Sequence, residues 1–126
     1  MSFDLAVLSG KKPLKQEDAG GIYVQLCEEP DTWSNLLEPD ERVAAFVHEI
    51  TTRWPQIDDV PEEEVDDCPW NVAFDQSPAH AISCIAWSRA DEVFPVYVEA
   101  ALRHALYVYD PQEDNLLAPE GDALGN

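Results

Sequence analysis

Hydrophobic positions recur along this chain in two rhythms, and the switch between them predicts the elements. In residues 3–8 Phe3, Leu5 and Val7 alternate with their neighbours, which predicts a first strand; Ser9 to Pro13 reads as a turn. From Lys15 to Glu29 the apolar positions Ala19, Ile22, Tyr23, Leu26 and Cys27 return at helical spacing. Gly20 and Gly21 each cost such a helix about 1 kcal/mol relative to alanine, so packing must hold it. Residues 30–39 read as a linker. A second helix follows, with Pro39 suited to its first position and Asp40 and Glu41 at the positive end of its dipole. Val43, Phe46, Val47, Ile50 and Trp54 form its stripe, and Pro55 stops it.

The second half repeats the alternation. Residues 71–75 predict a short strand, and 81–87, apolar on both faces, a central one. Ser88 is placed to cap a third helix with Asp91 and Glu92 in its first turn; this helix contains Pro95 and runs to about His104. Residues 106–109 predict a last strand, ended by Asp110-Pro111. The predicted order is β-α-α-β-β-α-β. This is an α+β fold: a small mixed or antiparallel sheet with helices mainly on one face. The length of 126 residues suits one domain, assigned to 1–111, with 112–126 as a polar, partly loose tail.

Charge narrows the function classes. Twenty-six acidic side chains stand against seven basic ones, a net charge of −19, while 45% of residues are hydrophobic. That is too apolar for a disordered chain, and the field repels phosphate backbones and anionic headgroups. Neither a nucleic acid nor a membrane is expected as partner. The three cysteines, Cys27, Cys68 and Cys84, have no CxxC spacing and read as reduced thiols. With no signal-like opening and no long apolar run, the expected location is the cytoplasm.

No catalytic constellation stands out. Ser83, Ser88 and Cys84 lie in no nucleophile-elbow frame, and Gly20-Gly21 forms no phosphate loop. On one strand His80 and Cys84 would be about 13 Å apart, too far for a shared ion. His48 and His104 add no ligand spacing, and the acids of 58–67 lack a calcium-loop frame with its central glycine. The expectation is a protein without catalytic residues, cofactor or metal, and not an enzyme. What remains is where the acids lie: six in 28–41, seven in 58–67 and five in 110–122. The middle run, Asp58, Asp59, Glu62, Glu63, Glu64, Asp66 and Asp67, reads as a solvated loop able to dock a basic protein. Trp70 and Trp33 border acidic segments and are the expected aromatic anchors of that contact; Trp54 continues the helix stripe into the core. Exposed aromatics fit a homodimer equally well.

Three segments carry a resemblance: Ser2-Phe3-Asp4-Leu5-Ala6-Val7, Trp87-Ser88-Arg89-Ala90-Asp91-Glu92, and the terminus Leu106-Tyr107-Val108-Tyr109-Asp110-Pro111-Gln112. Together they resemble a family of small acidic bacterial proteins, some encoded beside polymorphic or secreted toxins. The resemblance implies an immunity protein, one that binds a cognate toxin and occludes its active or substrate-binding surface, the toxin being a basic nuclease type. The runner-up is a small hydrolase or ligand-binding protein with a site among Trp87, Tyr107, Tyr109 and a carboxylate. An acidic DNA mimic is a third reading.

Overall fold

The computed structural model describes residues 2–119. Strand β1 (Ser2–Leu8) is central and pairs antiparallel with β3 (His80–Ala86) over its whole length, Ser2 opposite Ala86 and Leu8 opposite His80. On its other side Ala6–Leu8 pairs with β4 (Tyr107–Asp110). The short β2 (Asp75–Gln76) and β5 (Asn115–Leu117) complete an antiparallel sheet of order β2-β3-β1-β4-β5. The fold is α+β, as the two rhythms predict.

Period-two alternation sends Leu5 and Val7 to one face and Ala6 and Leu8 to the other, and both faces are buried. Helices α3 (Glu41–Arg53) and α4 (Ala90–Arg103) cover the first face. They bring Val43, Phe46 and Ile50 with Val93, Tyr97 and Ala101 onto the sheet. Helix α1 (Gln16–Glu28) covers the opposite face through Ala19 and Leu26, aided by Leu14, Leu37 and the short α2 (Trp33–Leu36). Two of the three long helices thus share one face, and α1 closes the other. Gly20 has a reason here: a Cβ on it would lie 3.2 Å from the Tyr109 hydroxyl, so the residue lets α1 approach β4 closely.

Helix starts differ from expectation at two helices: Pro39, expected at a first helical position, lies before the N-cap of α3, and Ser88 does not cap α4. Asp40 caps α3, its carboxylate accepting from the Arg42 and Gly10 N–H groups and pairing in bidentate fashion with the Arg42 guanidinium at 2.8 Å. Burial alone would raise its pKa, but these hydrogen bonds outweigh burial and hold the carboxyl below its ordinary range. Ser88 caps nothing. A 3₁₀ turn, Trp87–Arg89, precedes α4 and puts Arg89 at the N-cap without a side-chain cap bond. At the other end of α4, Ala105 takes a positive φ of 62°. Leu106 N–H then bonds to Ala101 O and Ala105 N–H to Leu102 O, a Schellman closure. Gly10 touches that closure so closely that any Cβ would strike the Ala105 carbonyl.

The predicted tail needs correction. Residues 112–114 turn, Asp114 at φ 50°, and Asn115–Leu117 returns as β5 with Leu116 buried, so the domain extends past 111; residues 120–126 lie outside the described residues. Side-chain amides then finish the ladders. The Gln112 amide accepts from Asp4 N–H at 2.7 Å and donates to Asp4 O at 2.8 Å, prolonging the sheet where β4 has ended. Gln16 does the same for the outer edge, linking Asp114 O and Leu116 N–H. Occupied edges of this kind discourage strand addition by another chain. The Tyr-Asp-Pro-Gln terminus therefore has a structural role: Tyr109 bonds Asp114, and Asp110 orients Gln112.

Candidate functional site: an acidic ledge over an aromatic floor

The connection from α3 to β2 is not an open loop. It folds into two 3₁₀ turns, Ile57–Asp59 and Glu62–Asp67, with Pro55, Pro61 and Pro69 limiting its backbone freedom. Ile57 and Val60 pack against the core under α3 and α4. The Gln56 amide accepts from Phe74 N–H at 2.9 Å, and the Arg89 guanidinium donates to Asp67 O at 2.6 Å. Pinned at both ends, the segment is a ledge. Asp58, Asp59, Glu62, Glu63, Glu64, Asp66 and Asp67 are all exposed on it.

Among the described residues none of those seven carboxylates forms an ion pair, although the charge of Asp67 is attracted by the nearby Arg89. Among the described residues the ion pairs engage Asp40, Glu49 and Glu92 instead. Arg53 lies over the Trp54 ring at 4.7 Å, and the three lysines, Lys11, Lys12 and Lys15, sit together in the β1–α1 connection.

Trp70 is the floor of the ledge and not its anchor. It is 1% exposed, donates its Nε1–H to Trp54 O at 2.7 Å, and meets Trp54, Phe74 and Tyr97 edge to face or tilted. An isolated bridge to Ile85 turns the ring inward, so it is unavailable to a partner. Trp33 is half-buried on the α1 face, whereas the ledge packs on the α3/α4 face; the two do not share a surface. Trp54, expected in the core as the end of the helix stripe, is instead the C-cap of α3 and only half-buried, packed against that core.

The pocket imagined among Trp87, Tyr107 and Tyr109 is not assembled. Both tyrosines are buried under α1, with the Tyr107 hydroxyl accepting from Leu14 N–H and the Tyr109 hydroxyl donating to Asp114 at 2.6 Å. Burial, then the Asp114 contact, pushes the Tyr109 phenol up to about 12. Trp87 stands in solvent instead. Cys84 is no more reactive: burial, followed by the negative charge of Asp4, pushes its thiol up to about 11, far from thiolate character at neutral pH.

A cleft of about 720 Å³ between the start of α3 and the β2–β3 turn is lined by Pro39, Asp40, Glu41, Ala44, Gln76, Ser77 and Pro78. Behind its rim Ser77 Oγ faces His80 Nδ1 at 2.5 Å, a pair that invites a catalytic reading. The hydrogen bonds argue for a turn lock. Ser77 Oγ already accepts from Ala79 N–H and His80 N–H, so its own proton goes to Nδ1 and no lone pair is left for attack. The imidazole is then the neutral Nε2–H form, and that N–H is buried without a hydrogen-bond partner among the described residues.

Burial lowers the His80 pKa, and the nearby charge of Asp75 offsets this only in part. An unfolded chain protonates this histidine near pH 6.5, while the native site resists it. Its stabilising contribution is therefore complete above pH 6.5 and declines as pH falls from there toward the lower native value. Urea midpoints at pH 7.5 and 5.5 are expected to show that loss, at no more than about 1.4 kcal/mol per pH unit, and a His80→Asn variant to flatten it. Glu49 acts in a separate window. The Arg103 and then the His104 hydrogen bonds hold its carboxyl down to about 2, so its contribution begins to fade only below pH 4.5.

Comparison of the chain with protein-family models, with curated proteins and with solved structures finds no match. No helix among the described residues is long and apolar enough to cross a membrane, and no group of three or more His, Cys, Asp or Glu side chains there is placed to hold a metal ion.

Proposed function

We propose that the protein is a binding protein for a basic protein partner and, on the resemblance of its three segments, an immunity protein that occludes a cognate toxin in the cytoplasm. The observation that carries the binding reading is the ledge: seven exposed carboxylates, none ion-paired among the described residues, on a backbone pinned at Gln56 and Asp67. A preorganised acidic surface steers a cationic partner and selects against anionic ones, because complementary potential raises the association rate. Lysines and arginines that hold substrate phosphate in a nuclease would meet carboxylates instead. Inhibition of this kind needs no chemistry from the inhibitor, and a specific contact of about 1,600 Å² in total is within reach of a domain this size.

Co-expression tests the reading. The C-terminal domain of the product of the adjacent gene is expressed in bacteria with and without this protein, which carries a purification tag. Restored growth together with a stoichiometric complex is the expected result. Toxicity that persists beside the expressed protein, with nothing co-purifying, would remove the immunity assignment for that pair.

A further inference from the structure

Of the large hydrophobic side chains among the described residues, Trp87 is the most exposed, at 53%. It sits in the 3₁₀ turn between β3 and α4, and its indole rests on Phe3 at 5.5 Å between ring centroids, with Phe3 set edge-on against Phe94 at 5.8 Å. Phe3 and Phe94 are themselves packed on the main core, so Trp87 is held on a firm base. The chain on both sides of it is tied to the end of the ledge. Ala86 N–H bonds to Pro69 O at 2.7 Å, and Arg89 to Asp67 O at 2.6 Å. The exposed aromatic therefore stands next to the end of the acidic ledge. The charge requirement also selects the occupant, since a second copy would bring its own −19 to the same contact.

We propose that Trp87, backed by Phe3 and Phe94, is the apolar anchor of the acidic surface, and that its occupant is a basic protein segment which lays an apolar side chain or a guanidinium plane on the indole while its cations reach Asp66 and Asp67. This rests on the binding reading above. Tryptophan is the residue most enriched among contacts that dominate binding energy, and its face also attracts cations. Here it stands two residues from Arg89, which is bonded to the Asp67 backbone at the end of the ledge.

Two probes separate this proposal from the reading beneath it: a short peptide alternating arginine and leucine, and oligolysine of the same length. The wild-type protein is expected to bind both. Trp87→Ala should weaken the arginine–leucine peptide about tenfold or more and leave oligolysine within about twofold. As an exposed residue, its loss should leave the thermal midpoint within about 2 °C, which guards against misfolding. Equal binding of the arginine–leucine peptide by wild type and variant would overturn the anchor while leaving the acidic reading standing. Binding of neither peptide by wild type would overturn both. A wild-type dimer in sedimentation that dissociates in Trp87→Ala would assign the patch to a second copy and overturn the basic occupant.

Discussion

Trp70→Ala is expected to lower the stability of the domain by about 3–5 kcal/mol, the largest single effect foreseen here. The indole is almost wholly buried, touches three other aromatic rings and supplies an N–H to Trp54 O, so its removal leaves both a cavity and an unpaired carbonyl. Set against a total stability of about 5–15 kcal/mol for domains in general, the loss is severe. The thermal midpoint should fall by about 10–20 °C, read by calorimetry or circular dichroism. Trp70→Phe keeps a ring in place and should cost clearly less. Binding by the fraction that remains folded should be unchanged, because Trp70 supports the ledge from beneath. A stable Trp70→Ala variant that had lost partner binding would return this residue to the interface.

Reversing three carboxylates together, Glu63→Lys, Asp66→Lys and Asp67→Lys, should act the other way round. The net charge moves only from −19 to −13, but the local potential of the ledge changes sign over its second turn. Affinity for the basic partner at low salt should drop about 100-fold or more, chiefly through the association rate. Stability should stay within about 1 kcal/mol of wild type, since the three side chains are exposed and, among the described residues, form no ion pair, Asp67 having only a solvent-screened attraction to Arg89. The bond from Arg89 survives the change because it is made to the Asp67 backbone carbonyl. Surface plasmon resonance together with urea unfolding would measure both halves of this result. Unchanged association rates would show that the ledge serves solubility alone.

The long elements were legible because each buries a face with its own period. The alternation of Leu5 and Val7 with Ala6 and Leu8 marks β1, and the Val43–Phe46–Val47–Ile50 stripe marks α3. Strand β5 was not, since three residues carry no measurable rhythm; its position is set by the Asp114 turn and by Gln16 from the other end of the chain. The acids of the ledge could be listed from the sequence, but that they share one pinned surface depends on Gln56 and Arg89 contacts with distant residues.

The tryptophans show the same division. The sequence places Trp70 beside seven acids, but proximity along the chain says nothing about which way a ring turns, and its bridge to Ile85 decides that. Trp87 was hidden by the reverse effect. It closes an apolar run that reads as a buried strand, whereas the strand ends at Ala86 and the next residue emerges into solvent. The one available signal was the change from an apolar run to the polar Ser88-Arg89.

Docking driven by the exposed carboxylates of 58–67 must weaken as added salt screens them. Equilibrium binding of the purified basic partner would be measured at 0.05 M and 0.5 M salt, a range over which the screening length shrinks from about 14 to about 4 Å. Wild-type affinity is expected to fall about tenfold or more across that range, and the triple reversal to lose most of this dependence. Wild-type affinity equal at the two salt concentrations would contradict charge-driven docking.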